Sequence, residues 1–341
     1  MGPKDKHPST GDLFQQPLAE LINLKHPLVK LAELIDWSVF ETRWAEFFPS
    51  KTGRPASSPR LIAGLLYLQH TFACSDEDLI WTWVENPYWQ HFCGESYFQH
   101  EAPIDPSSMT RWRQRVGEEG VEGLLTETIA AARRGKVVKA RSFEKIIVDT
   151  TVMEKAVAYP TDSRLLERGR QHLVKLAGTL GISLRQNYNR EAPRLAAQVG
   201  RYAHAKQYRR MKATLKSLRT VVGRVWRDID RKLDRQNETQ AAKANRILVR
   251  VKRLLEQKPK DKNKLYSLHA PEVECISKGK VRQPYEFGVK VTVATTHREG
   301  LVVGMRSLPG NPYDGHTLSE SIEQVRLLTN LETDTQKLLQ I

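Results

Sequence analysis

Between one β-branched run at 145–152 and another at 285–308 lies a long stretch of helical periodicity, from about Asp162 to Leu255. Any fold this chain adopts must build a sheet around that interruption. Met211, Leu215, Leu218, Val222, Val225, Ile229 and Leu233 recur at three-and-four spacing, and Ala244, Ile247, Val251 and Leu254 continue it beyond Arg235-Gln-Asn-Glu-Thr239. The spacing predicts two helices joined by a short polar turn, packed as an antiparallel hairpin. Residues 201–260 hold 19 Lys/Arg against 5 Asp/Glu, a balance of +14, when the whole chain carries +15. Solvated helix faces normally mix the two signs to limit repulsion. This one does not, so contact with a polyanion is expected, with Arg209, Arg210, Lys212, Lys216 and Arg219 as candidate phosphate ligands.

The flanking runs read as strands. Lys145-Ile-Ile-Val-Asp-Thr-Thr-Val152 has one acidic residue among β-branched ones, which predicts a strand buried on both faces. A carboxylate there needs a cation or hydrogen-bond donors, which makes Asp149 the foremost functional candidate. Tyr285–Thr295 and Gly300–Leu308 flank the turn His297-Arg-Glu-Gly300 and read as an antiparallel hairpin. Glu272 and Glu274 fall in the loop before it. After the turn cluster Pro309–Gly315, Thr317 or Ser319 opens a helix carrying Leu318, Ile322, Val325 and Leu328.

The N-terminal part reads as helical. Residues 1–57 form a polar leader, short helices broken by Pro27, and the loop Phe48-Pro-Ser-Lys-Thr-Gly-Arg-Pro55. Residues 58–135 hold a succession of helices: one after Pro59, one capped by Ser75, one capped by Ser107 or Ser108 and ended by Gly117, and one from Val121 to about Ala132. Arg111 and Arg115 share a helix face beside the Trp112 and Val116 stripe, and with Arg113 they suggest a DNA-facing helix of helix-turn-helix type. The equal alternative is a solvated arginine face on a bundle helix. Cys74, Cys93 and Cys275 show no C-x-x-C spacing. His91-x-Cys93 with His100 would make only a partial zinc site, in a stretch whose aromatics suit a core. The longest apolar run, Leu61–Leu68, is too short to cross a bilayer, and the polar start has no secretory h-region, so a cytoplasmic, nucleoid-associated protein without a membrane partner is expected.

Several strings carry a family resemblance. Arg60-Leu-Ile-Ala-Gly-Leu-Leu-Tyr67, Trp83-Val-Glu-Asn-Pro-Tyr-Trp-Gln-His-Phe-Cys-Gly94, Phe98-Gln-His-Glu101 and Asp105-Pro-Ser-Ser-Met-Thr-Arg-Trp-Arg113 resemble the helical N-terminal domain of insertion sequence 5 transposases. Ile147-Val-Asp-Thr-Thr151, Tyr285-Glu-Phe-Gly-Val-Lys290 and Gly310-Asn-Pro-Tyr-Asp-Gly-His-Thr-Leu318 resemble the start of that family's catalytic domain. The resemblance implies an α+β chain: a helical DNA-binding domain, then an RNase H-like domain in two parts, 144–161 and 284–341, around a basic helical insertion at 162–258. It also implies DDE chemistry, in which three carboxylates hold two Mg²⁺ or Mn²⁺ ions for attack on a phosphodiester. Asp149 matches the first of them. The second belongs to a fourth strand that would start beyond about residue 335, so the RNase H-like domain reads as incomplete and the chain as truncated. Asp314 precedes the helix, and its order in the fold favours a turn or capping role over a catalytic one. Glu320 and Glu323 read as that helix's solvated face.

The expected partner is double-stranded DNA at an element's terminal inverted repeats, with self-association or co-assembly with a full-length transposase. Three readings follow: an inactive chain that retains DNA binding, an enzyme completed by Asp314 or by a partner chain, and a regulator that occupies element ends.

Overall fold

The computed structural model describes residues 16–44, 47, 57–233, 238–277 and 284–329. The polar leader, the loop at 48–55, the start of the turn at 235–239 and everything beyond 329 lie outside them. The fold is α+β, and contacts divide the described chain into two compact units.

The first unit draws on Met1–Asp149, Val293–Met305 and Leu318–Ile341. Its helices are α1 (Leu18–Leu21), α2 (Pro27–Leu34), α3 (Ser38–Arg43), α4 (Pro59–Phe72), α5 (Asp76–Glu85), α6 (Pro87–Phe92) and α7 (Ser107–Arg134). Pro27 does not break a helix. It occupies the first turn of α2, where a missing N–H costs nothing, and His26 Nδ1 caps the turn by accepting from Leu28 N. Ser75 caps α5 as its sequence predicts, its Oγ accepting from Asp78 N at 3.1 Å. Asn86 both ends α5 and opens α6, accepting from the amides of Tyr88 and Trp89. Asp105, rather than Ser107 or Ser108, supplies the oxygen at the start of α7: its carboxylate takes Ser107 N at 2.9 Å, and a carboxylate is the stronger acceptor.

One apolar core joins α2 through α7. Ile35, Trp37, Phe40 and Trp44 pack with Leu61, Leu65, Leu79, Trp83, Phe92, Met109 and Trp112, so the core does not divide at residue 57. The buried Gln90 is satisfied inside it, donating to Trp83 O and Val84 O and accepting from Gln99 N. Cys93 is buried there too, and desolvation pushes its thiol up, which suits packing rather than ligation. Gly117 interrupts α7 at φ 60° and ψ −162°. Met109, Trp112 and Val116 before this kink, and Leu124 and Ala131 beyond it, serve the helical core; Ile129 joins a second cluster with Val138, Phe143, Ile146, Ala294, Val303, Val325 and Leu328.

The strands are β1 (Ile146–Glu154), β2 (Glu274–Ser277), β3 (Tyr285–Thr296) and β4 (Val302–Leu308), in a sheet ordered β1-β3-β2 with β4 also on β3. His297 N donates to Lys145 O and Lys155 N to Phe287 O, so β1 runs antiparallel to β3. The β3–β4 hairpin forms as expected, with Gly300 at φ 67° in its turn. Two expectations change. Glu274 lies in a strand, not a loop, opposite Gly288 in the β2–β3 register. β1 is not buried on both faces: Ile146 is buried and Val148 half-buried, whereas Ile147, Asp149, Thr151 and Met153 are exposed. Its core side meets the second cluster, and the alternate residues turn away from it.

The second unit draws on Thr150–Thr292 and Arg306–Thr317. Its insertion is more than a hairpin. α8 (Asp162–Thr179), α9 (Glu191–His204), α10 (Tyr208–Lys232) and α11 (Glu238–Glu256) form a four-helix bundle. Leu166, Leu173, Leu195, Leu218, Val222, Val225, Ile229, Leu248 and Val251 fill it at helical spacing, closed by Leu265 and Leu268. Inside, Glu167 holds Arg170 through both carboxylate oxygens, and Arg170 donates onward to Asn187 O and Asn189 Oδ1. This network pins the loop between α8 and α9. The last helix, α12 (Asp314–Thr329), begins three residues before Thr317, whose Oγ1 donates to Asp314 O within the first turn.

Candidate nucleic-acid interface and carboxylate positions

The cationic surface of α10 follows from its sequence period. Leu218, Val221, Val222, Val225 and Ile229 turn inward. The same 3.6-residue period therefore sends Arg209, Lys212, Lys216, Arg224, Arg227 and Arg231 outward, and all six are exposed. The helix has 25 residues, so the stripe runs along a rod about 37 Å long. Asp228 is buried, accepts Arg185 N at 2.9 Å and Lys232 Nζ at 3.2 Å, and lies 3.7 Å from Arg231 Nη2, so it partly neutralises the C-terminal end of the stripe. Those bonds, led by the Arg185 amide, hold its carboxyl below the usual range.

Of the five candidates expected here, Arg209, Lys212 and Lys216 lie on the stripe. Arg210 is exposed and donates to Gln207 Oε1 at 3.1 Å. Arg219 is half-buried and donates to Gln257 O, which ties α10 to the end of α11 rather than to solvent. Sequence reading stopped short of Arg224, Arg227 and Arg231, although the same spacing continues to them. It also passed over Arg164, Arg168, His172 and Lys175 on the outer face of α8. Across 162–260 the sequence has 26 Lys/Arg against 8 Asp/Glu, so the cationic character belongs to the whole bundle.

On α7 the three arginines differ. Arg111 is exposed and donates to Ser108 Oγ, and Arg115 is exposed with its guanidinium 4.9 Å from the Trp112 ring centroid. Arg113 is engaged at home: Nη1 and Nη2 each reach an Asp76 oxygen at 2.7 Å, and Nη1 also donates to Gln69 Oε1.

The two candidate carboxylates sit in different settings. Asp149 is exposed on β1, and strand alternation turns it to the face opposite Val148 and Thr150. The burial cost that first marked it out is therefore absent. Asp314 stands at the positive N-terminal end of α12, ion-paired with Lys290 Nζ and accepting from Thr150 Oγ1 at 3.1 Å. Lys290 is largely buried, with its Nζ also donating to Pro312 O at 2.8 Å. Left-handed backbone at Gly310 and Asn311 turns the chain into this arrangement. Thr150, Val152, Ile276, Lys290 and Asp314 border a pocket of about 450 Å³. No cluster of three or more His, Cys, Asp or Glu that could hold a metal ion occurs among the described residues. With an ammonium already on Asp314, these residues do not fit a two-ion site.

Residues 16–115 match the family model of a transposase domain, DUF772. A protein of Rhizobium meliloti named "Uncharacterized protein ORF8 in nfe locus" is 48% identical over 207 residues, which are 60% of this chain and the whole of that relative. The chain belongs to a transposase family. No solved structure matches it. The matched residues cover α1 through the first third of α7, the region built on the aromatic-rich core, and include Arg111, Arg113 and Arg115. The basic bundle lies outside the matched residues. No helix among the described residues is long and apolar enough to cross a membrane.

Proposed function

We propose that this transposase-family chain binds duplex DNA, and that the outer face of α10 follows the phosphate backbone. The observation that carries the reading is the stripe of six exposed cations on one helix face, of which Arg231 at its end pairs with the buried Asp228 at 3.7 Å. Phosphate contacts of this kind give affinity and orientation without reading sequence. Sequence choice at an element's ends then falls to the transposase domain, where Arg111 and Arg115 are exposed on α7 while Arg113 serves structure.

The finer assignment, to the insertion sequence 5 family with an RNase H-like DDE domain, rests on the strings around Asp149, Lys290 and Asp314. The antiparallel succession β1, β3, β4 followed by α12 agrees with it. In that assignment Asp149 is the first metal-binding carboxylate, and Asp314 is a positioning group held by Lys290 and Thr150. Since the described residues do not fit a pair of Mg²⁺ or Mn²⁺ ions, the proposed function is DNA binding, and no metal-borne step is assigned to these residues.

Binding of a fluorescent duplex, titrated at several salt concentrations, tests the proposal. Binding that weakens steeply with salt, and weakens further in Arg209→Gln/Lys212→Gln/Lys216→Gln, is expected. Equal affinity in wild type and the triple variant would remove α10 from the interface. Mg²⁺-dependent cleavage lost in Asp149→Ala would show instead that the chain is a nuclease as it stands.

A further inference from the structure

The outer face of α8 has a composition as one-sided as that of α10. Arg164, Arg168, His172 and Lys175 follow one another at spacings of four, four and three, so they share a face, and all are exposed. The two carboxylates of α8 are directed elsewhere: Asp162 lies 3.9 Å from Lys264, and Glu167 is buried with Arg170. α11 packs against this helix, since a Cβ placed on Gly169 would lie 3.4 Å from Val251. The residue before Val251 is Arg250, whose Nη1 donates to Leu268 O at 2.8 Å. His269 follows directly, with its Nδ1 3.0 Å from Ser267 Oγ. α11 and the loop after it thus lie against α8, and the charges of Arg250 and His269 act on His172.

His172 reports the resulting field. Its protonation is disfavoured first by partial burial and then by Arg168, Lys175, His269 and Arg250, all of them cationic or able to become so. Such a concentration of like charge is costly in the free protein and is relieved by an anionic ligand. From Arg164 to Lys175 the row extends about 16 Å along the helix, more than one phosphate group occupies, and duplex DNA offers a regular series of them.

Resting on the reading of the bundle as a DNA-binding element, we propose that Arg164, Arg168, His172 and Lys175 of α8, with Arg250 and His269, form a second phosphate-binding face that takes the backbone of duplex DNA separately from α10. A phosphate seated there favours protonated His172, so binding takes up a proton and tightens as the pH falls through the histidine range.

The experiment is fluorescence anisotropy of the full chain with a labelled duplex, across salt concentration and between pH 5.5 and 8. Arg168→Gln/Lys175→Gln/Arg250→Gln is expected to reduce the slope of log affinity against log salt by about 0.9 for each phosphate no longer neutralised. His172→Gln is expected to flatten the pH response, which in wild type reaches at most about tenfold per pH unit for the proton taken up. Wild-type slope and pH profile in both variants, with binding still reduced by the α10 substitutions, would overturn this face and leave α10 standing. Absence of DNA binding by the wild-type chain would overturn the proposed function as well. Competition by inorganic phosphate as effective as competition by unlabelled duplex, per phosphate, would overturn DNA as the ligand.

Discussion

Arg113 on α7 grips Asp76 at the start of α5 through both guanidinium nitrogens, each 2.7 Å from a different carboxylate oxygen. The pair closes the helical core from outside, and the Arg113 bonds hold the Asp76 carboxyl below its ordinary value of 3.8. Because the folded-state value is depressed, the contribution is complete above pH 3.8 and is lost as the pH falls through the lower folded value.

Asp76→Asn is therefore expected to cost about 1 kcal/mol at neutral pH, at the upper end for a partly exposed pair because the geometry is bidentate. Chemical denaturation at pH 7 and again near pH 3 checks it. The gap between variant and wild type should narrow at the lower pH, and a gap that stayed constant would assign the loss to packing.

Gly288 on β3 lies against the backbone of β1. A Cβ there would come 2.2 Å from Met153 O, a contact with main chain that cannot swing away. Gly288→Ala is expected to destabilise by about 1–3 kcal/mol through forced separation of the two strands. A thermal melt indistinguishable from wild type would refute the close approach.

Gly117 poses a different constraint, since a Cβ would meet nothing within 4 Å and only the backbone objects. At φ 60° and ψ −162° it occupies a region open essentially to glycine, so Gly117→Ala is expected to cost about 1–3 kcal/mol. If the variant instead gained helicity by circular dichroism at unchanged stability, α7 would be able to run straight through.

The buried pair Glu167–Arg170 predicts the largest single loss. Their side chains are 11% and 4% exposed, and Glu167→Gln leaves a guanidinium without its counter-charge, at a cost of about 3–5 kcal/mol. Replacing both with apolar residues of similar size should restore much of it. Equal damage from the single and double replacements would mean that the charge pairing is immaterial.

The sequence made the regular parts of this structure legible because each rests on a local rule. Ser75 as a cap, Gly117 as a helix breaker, Gly300 in the hairpin turn and the inward stripe of α10 all follow from spacing and backbone preference. What sequence missed depends on partners distant in the chain. The brief β2 has no period of its own and exists because Glu274–Ser277 meets the free edge of β3. The exposure of Asp149 could not be read from its β-branched neighbours, which suit a half-covered strand as well as a fully covered one. Spacing sets Arg113 on a different face of α7 from Arg111 and Arg115, but its pairing with Asp76, 37 residues earlier, depends on tertiary placement that spacing does not give. The cations of α8 were legible by spacing but hidden by Asp162 and Glu167, whose directions a sequence does not give.

The bundle departs from the sheet after β1 and returns through β2, and both strands pair with β3. Its points of exit and re-entry are thus one strand apart, about 10 Å, and its apolar centre is built wholly from residues between Leu166 and Leu268. The sheet bears the cost of closing that loop, which rises by only about 0.6 kcal/mol for each doubling of its length. The four helices consequently have the properties of a cassette: they can be acquired, exchanged or shed in descent without re-registering a single strand.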